Sequence, residues 1–376
     1  MTKMQFVEQA IGRIEESATD RQKEATKLLV EALAGDVSAK IHLMEGISTS
    51  DIPTLLTPAI NVTFLAKYAA QPTSWDMIAQ EYMVPSFGEI KFGDFNIDPA
   101  SLISNDGDDF VAGGLPVVGE YDEYPAVNFT TTSLNKSVDR KRGVRARLSW
   151  ETLRKVGNFD ILGQFTDTFA KYAAKQEDIA LAKLFVTTAG AAGADWSGKG
   201  LSGNPALTSD GYGALGDALA ASRAQTVDGV PVSASTYKLV YGAALAPTVE
   251  KILSISNLRV TDSNGTYDVN AGLITGKFRP IEFNTMDLVS GGDTDGFWFV
   301  IPEGQARPQF LEVFLEGMRA PMISVKDSGH FALSGGQVPV REGSFDEDDI
   351  QTRVRHVVDA VAVDLTGSVY STGAGS

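Results

Sequence analysis

Four groups of residues in this chain have the types and spacing to do chemistry, and each makes a demand on its surroundings. Gly211-Tyr212-Gly213-Ala214-Leu215-Gly216 matches GxGxxG. That pattern cradles a dinucleotide pyrophosphate when a buried strand precedes it and an acid follows about twenty positions on. Here the preceding Asn204-Pro205-Ala206-Leu207-Thr208-Ser209-Asp210 is turn-like and no acid lies near position 236, so the glycines read as a loop opening a helix. Asp346-Glu347-Asp348-Asp349 offers oxygen donors for a hard cation, but clustered carboxylates ahead of a strand suit a solvated edge better. Asp106, Asp108 and Asp109 lack the spacing of a calcium loop. His356 lies amid Arg353, Arg355 and Asp359, where a strand residue is expected before a catalytic base. The chain has no cysteine and only His42, His330 and His356, which excludes disulfides and thiolate metal sites. No nucleophile elbow or P-loop occurs. The chain is therefore not read as an enzyme, and no cofactor or metal is expected.

Charge is distributed in a way that points to assembly instead. From Phe92 to Asn135 there is no Lys or Arg, while Asp94, Asp98, Asp106, Asp108, Asp109, Glu120, Asp122 and Glu123 make eight acidic positions. Residues 136–155 then hold Lys136, Arg140, Lys141, Arg142, Arg145, Arg147, Arg154 and Lys155, a quarter of the 32 basic residues. Charge runs are commonly just solvated faces. The sharper expectation is that opposite-sign surfaces of neighbouring copies meet. Asp106, Asp108, Asp109 and Glu120 would face Arg140, Arg142, Arg145 and Arg147, with Val111, Leu115, Val117 and Val118 supplying apolar burial. The net charge of −16 makes the chain a poor sequence-independent binder of nucleic acid.

The elements that would position these groups follow from periodicity. With 376 residues, 43% hydrophobic and 21% charged, the chain has room for about two or three compact units and a core. Residues 4–45 carry helical stripes, Phe6, Ala10, Ile11 and Ile14, then Ala25, Leu28, Leu29, Ala32 and Leu33, with Thr19 and Gln22 as a capping box. Two further helices are expected over 51–83, one opened by Asp51 and Pro53 and one by Ser74. Residues 84–123, rich in Gly, Pro, Asn and Asp, read as a long loop or extended hairpin that lies across a partner, since a structureless segment of that length inside one compact domain is improbable. Residues 124–148 alternate as two strands. Asn158 caps a helix carried by Leu162, Phe165, Phe169, Tyr172, Ala173, Gln176, Ala180 and Leu184 to about Phe185, roughly 40 Å long.

A Gly/Ala/Ser-rich link at 187–204 marks a boundary. After it come helices near 214–224 and 246–254, a hairpin turn at Ser263-Asn264-Gly265-Thr266, and strands at 237–241, 279–283, 297–301 and 309–315. Gln351–Leu365 alternates as a strand returning to the first unit. The class is α+β. No run approaches the roughly 20 apolar residues of a membrane span, and the N-terminus does not read as a secretory signal.

The run Lys136-Ser137-Val138, Arg145-Ala146-Arg147-Leu148-Ser149-Trp150-Glu151-Thr152-Leu153, Asn158-Phe159-Asp160-Ile161 and Gln176-Glu177-Asp178-Ile179-Ala180 resembles the major capsid proteins of tailed bacteriophages with the Hong Kong 97-type fold. Phe297-Trp298-Phe299-Val300-Ile301-Pro302 and Glu316-Gly317-Met318-Arg319-Ala320-Pro321 resemble the late strands of that family's axial domain. Arg353-Val354-Arg355-His356 with Val361-Ala362-Val363-Asp364 resembles its closing strand. The acidic region around Phe95 and Gly119-Glu120-Tyr121 are similar to Mu-like head subunits.

The resemblance implies an N-terminal helical arm (1–83), an extended E-loop (84–135), a peripheral domain with a long spine helix (136–190), an inserted axial domain (191–325) and a return to the peripheral domain with a C-terminal tail (326–376). It implies an icosahedral shell of hexamers and pentamers, assembled in the host cytoplasm with scaffold, portal and decoration proteins. That shell packages double-stranded DNA without sequence-specific contacts and without a membrane. Some members weld subunits through a loop lysine, but no lysine lies between Lys91 and Lys136, so a non-covalent shell is expected. The alternatives are an encapsulin-like nanocompartment on the same fold and an α+β nucleotide-binding enzyme using the Gly211 loop.

Overall fold

Alternating and three-to-four-residue apolar patterns resolve into two sheets joined by one long helix. The computed structural model describes residues 62–97, 129–138, 141–149, 159–208, 212–227, 230–255, 258–262, 265–269, 272–292, 294–305, 307–326 and 349–374, with Gly12, Glu16, Lys23 and Lys27. Those four isolated positions are helical, as is 62–70; the rest of the 4–45 stripes and the Asp51–Pro53 start lie outside the described residues.

Ahead of the long helix come β1 (Gln80–Val84), β2 (Gly88–Ile97), β3 (Phe129–Val138) and β4 (Lys141–Ser149). The helix is α1 (Phe159–Phe185), followed by α2 (Tyr212–Ala224), β5 (Thr226–Val227), β6 (Val230–Pro231), β7 (Tyr237–Tyr241) and α3 (Ala246–Ser254). Next come β8 (Leu258–Asp262), β9 (Gly265–Val269), α4 (Gly272–Thr275), β10 (Phe278–Glu282), α5 (Thr285–Ser290) and β11 (Trp298–Pro302). β12 (Phe310–Leu315), β13 (Met322–Val325), β14 (Asp349–Ala362) and β15 (Val369–Ser371) follow.

β14 organises the first sheet. Its 349–357 stretch pairs antiparallel with β4, Thr352–Arg355 with β13, and Val358–Ala362 with β12, while β1 adds parallel to β12. β4 can approach so closely because residue 143 is glycine: a Cβ there would sit 2.6 Å from the Val354 carbonyl oxygen. The second sheet has the order β10-β7-β11-β15. β2 and β3 form a separate antiparallel ribbon in register from Gly88↔Val138 to Ile97↔Phe129. Ile90 fixes its root by packing with Val84, Leu311, Val313 and Val361.

α1 lies on the first sheet, and its buried stripe runs Thr166, Phe169, Ala170, Ala173, Ala174, Glu177, Asp178, Leu181, Ala182 and Phe185. This differs in phase from the stripe read from sequence. Tyr172 is 66% exposed and Gln176 and Leu184 are only half-buried, because two acids, Glu177 and Asp178, occupy core-facing positions. The Leu162 and Phe165 side chains lie outside the described residues. The helix expected from Ser74 is absent as well. A single 3-10 turn, Trp75–Met77, stands there, and the chain then extends into β1.

One core spans both sheets, with Leu181, Phe185, Phe310, Phe314 and Val358 packed together with Val240, Phe283, Phe299 and Ile301. Phe185 stands at its centre, with its ring 4.9 Å from Phe299 (edge-on) and from Phe310 (stacked), 5.5 Å from Trp196 and 5.9 Å from Phe283. The 187–204 stretch is mostly exposed but anchored at Trp196 and Leu201. Trp196 is fully buried and Leu201 N–H donates to Tyr370 O at 2.8 Å. β15 was not foreseen as a strand; it closes the second sheet against β11. Phe185→Ala should lower unfolding free energy by about 3–5 kcal/mol, as urea denaturation would measure.

Candidate functional site

Two features stand out from the packing: a sealed cluster of charged groups where α1 meets the first sheet, and an exposed cationic face on the other side of that sheet.

The cluster is built around Glu177, which is fully buried. Its Oε1 accepts from Tyr68 Oη in a very short hydrogen bond and from an Arg319 Nη at 3.4 Å, and His356 Nε2 lies 3.1 Å away. Its Oε2 accepts from Trp75 Nε1 at 2.9 Å. Arg319 is 1% exposed, pairs with Glu81 at 3.1 Å, and lies 3.7 Å over the Phe314 ring. Asp178 accepts the backbone N–H groups of Ser74 and Trp75, each at 2.9 Å. That side chain from α1 caps the N-terminal end of the 3-10 turn. Burial first, then the Glu177 charge, holds the Tyr68 hydroxyl well above the ordinary phenol range. Unpaired charges would be expelled from such a site; here both oxygens of the Glu177 carboxylate are hydrogen-bonded.

Glu312 is the exception. It is completely buried between Phe310 and Phe314 on β12, and neither carboxyl oxygen has a hydrogen-bond partner among the described residues. Burial, followed by the charges of Glu177, Asp178 and Asp359, pushes its carboxyl well above the usual range, with only Arg319 opposing. The burial of Tyr68, Glu177, Arg319 and His356 suits them to fixing the elements that carry them. Among the described residues no group of three or more His, Asp or Glu side chains is placed to hold a metal ion.

The cationic face follows from register. Residues directly opposite in an antiparallel pair share a face, and alternate residues along a strand do too. Arg145 pairs with Arg353, Arg147 with Gln351 and Lys141 with Val357, so Lys141, Arg145, Arg147, Arg353 and Arg355 share one side. Lys141, Arg145, Arg147 and Arg353 are exposed. Like charges directly opposite each other destabilise a sheet, so the Arg145–Arg353 pair favours an anionic cover.

The other arginines singled out from sequence behave differently. Arg147 lies 3.6 Å from Asp349, and Arg142 lies 4.0 Å from Asp359. Arg140, Asp106, Asp108, Asp109, Val111, Leu115, Val117, Val118 and Glu120 lie outside the described residues. Asp349, proposed from sequence as part of a solvated acidic edge, is buried and accepts from Gln351 Nε2 at 2.9 Å. Before α2, residues 201–208 contain no buried strand, so the Gly211 run lacks the setting of a dinucleotide loop. Glu312 escaped the sequence reading, and Glu177, Arg319 and Arg353 entered it only within the resemblance motifs or as neighbours of His356, with no role of their own. A signal existed for one pair: Glu177 and Asp178 continue the 166, 169, 170, 173, 174 spacing of small and apolar residues.

A family model described as phage capsid protein matches residues 131–371, more than half of the chain. No curated protein matches. Among solved structures, the chain is similar to the capsid of Myoviridae Phage XM1, at 13% identity and a TM-score of 0.46, covering 79% of this chain and 89% of that one. It is similar to a chain of Mycobacterium phage Ogopogo at 16% identity and a TM-score of 0.44, covering 80% and 92%. It is also similar to a virus-like particle from Pyrococcus furiosus at 10% identity and a TM-score of 0.41, covering 83% and 97%.

The buried acid sets a pH dependence. The folded state holds the Glu312 proton more tightly than the unfolded chain, whose carboxyl titrates near 4.5. Its contribution is therefore complete below that pH and is lost as pH rises toward the raised folded value. Glu312→Gln should be more stable than the parent at pH 7, and the gap should widen upward from pH ~4.5 by at most about 1.4 kcal/mol per pH unit. Urea unfolding of both proteins across pH 4.5 to about 8 measures it; a constant gap would show that Glu312 does not carry the proton.

Proposed function

The chain belongs to the phage capsid protein family, and from that premise we propose that it is the major subunit of an icosahedral Hong Kong 97-type shell that holds double-stranded DNA. It is a structural, non-enzymatic component of the virion capsid, and capsid proteins of this kind self-assemble into shells. The observation that carries the reading is the family match across 131–371, which takes in β4, α1, the second sheet and every strand of the first sheet except β1.

In the finer reading, the β2–β3 ribbon is the stem of the E-loop and α1 is the spine helix. The second sheet forms the inserted axial domain, and 1–83 is the arm. Hexamers and pentamers form the shell, and scaffold, portal and decoration proteins act on it. Membership of the Mu-like branch rests on the acidic region around Phe95 and on Gly119-Glu120-Tyr121.

Cohesion in this reading comes from many weak, symmetric contacts. The acidic 94–123 segment of one copy covers the arginine face of a neighbour, with Val111, Leu115, Val117 and Val118 adding apolar burial. Exposed ion pairs contribute about 0–1 kcal/mol each, so the charges set register and orientation while burial supplies most of the energy. Arg145 and Arg353 are the best placed of the cations, since Arg142 and Arg147 already have carboxylates of their own chain.

The full-length protein should form uniform hollow particles by negative-stain microscopy; a monodisperse small species under all assembly conditions would overturn the shell reading. Particles purified from lysate with bound protein cargo and no nucleic acid would point to a nanocompartment. The pair Arg145→Glu with Arg353→Glu should abolish particles while leaving circular dichroism and the urea midpoint of the unassembled subunit unchanged. Normal particles from that variant would remove the charge-pairing proposal and leave the shell reading intact.

A further inference from the structure

The two sides of the first sheet carry different cations. One side bears the arginines of β4 and β14. On the other side lies α1, whose outer face turns Gln164, Thr168, Lys171, Tyr172, Lys175 and Lys183 to solvent. The steps of four, three, one, three and eight keep these residues on one stripe, opposite the Ala173, Glu177, Leu181 stripe that meets the sheet. Asp167 borders the stripe, and Lys171 Nζ holds it at 2.8 Å; that hydrogen bond keeps the Asp167 carboxyl below its usual range. Tyr172, 66% exposed, is the most exposed of the large hydrophobic side chains among the described residues. Cations and an exposed aromatic on one straight surface are notable in a chain of net charge −16.

We infer that this outer stripe of α1 is the side of the subunit that faces the packaged duplex, contacting its phosphates without reading sequence. The inference rests on the shell reading. At 1.5 Å per residue, Lys171 to Lys183 spans about 18 Å, matching roughly five phosphate steps along one strand. The cation type also fits. A lysine ammonium is a strongly hydrated point charge on a flexible stem, so it meets phosphate loosely and releases it easily. The guanidiniums on the opposite side suit bidentate, fixed pairing with carboxylates, which the acidic segment of a second copy provides. One face thus suits lasting contact between subunits. The other suits transient contact with a polymer that must slide while it is loaded. The acidic remainder of the chain keeps the total attraction small.

The test uses full-length protein, as wild type and as Lys171→Gln, Lys175→Gln, Lys183→Gln combined, with a short non-specific DNA duplex. Affinity is measured by fluorescence anisotropy across a salt series, and particle formation is scored separately by microscopy. The triple variant should assemble as the parent does, while its slope of log affinity against log salt falls by roughly 0.9 for each lysine in contact with phosphate. In assembled particles with and without DNA, acetylation of Lys171, Lys175 and Lys183 should slow several-fold when DNA is present, with Lys141 unchanged. An unchanged slope, no duplex binding by wild type at low salt, or protection of Lys141 in place of the α1 lysines would overturn the inference. Loss of particles with an unchanged slope would also overturn it, by assigning the stripe to a protein partner. Absence of particles from wild type would instead strike at the shell reading itself.

Discussion

The buried pairing of Glu177 with Arg319 is the constraint on which the rest of the architecture hangs. Its participants come from four separate stretches of chain: Tyr68 and Trp75 before β1, Glu177 on α1, Arg319 between β12 and β13, and His356 on β14. A fully desolvated charge is tolerated only when paired and hydrogen-bonded. Each stretch must therefore arrive in the right place for any of them to be buried at acceptable energy. Apolar packing supplies the bulk of the stability, but it is non-directional. The ionic cluster supplies the phase: it fixes which turn of α1 lies on which residue of β14, and it orients the turn from β12 to β13, where Gly317 adopts a positive φ of 75°.

Much of the second sheet was legible from sequence because its strands are short, with β7 and β11 buried along nearly their whole length. β7 and α3 fall on the expected residues, where Tyr-Lys-Leu-Val-Tyr is a short β-branched and aromatic run and a proline sits at the helix start. The expected hairpin likewise has its strands β8 and β9 paired antiparallel, with Gly265 as the first residue of β9. The misreadings share one physical origin, a polar side chain whose partner is remote in sequence. Glu177 and Asp178 look like surface residues until Arg319 and the Ser74–Trp75 amides are beside them. Ser74 looks like a helix start until Asp178 caps a single turn. Arg353 carries no local signal, because only register places it opposite Arg145. β15 is three residues long and is defined by β11 and by Pro205 O, which accepts from Ser371 Oγ at 2.8 Å.

Charge segregation was visible in the linear sequence, and the fold gives it direction. Among the described cations of residues 136–155, Arg142 and Arg147 lie beside carboxylates of their own chain, whereas Arg145 faces outward opposite Arg353. For a capsid subunit the distinction matters. Intrachain pairs stabilise a monomer, whereas like charges opposite each other on a sheet raise its energy slightly. Weak contacts between subunits favour reversible association, in which misplaced subunits can leave before a closed lattice traps them.

The parallel pairing of β1 with β12 joins Gln80 to Leu311, and β15 reaches back from residue 369 to complete a sheet begun at Tyr237. Contacts this distant along the chain close slowly, because the loop entropy is paid before the contact energy is gained. A nascent polypeptide therefore has neither sheet complete until well after α1 and the arginine face of β4 have been synthesised. The topology works as a timing device: neither sheet can close before the C-terminal strands β14 and β15 exist.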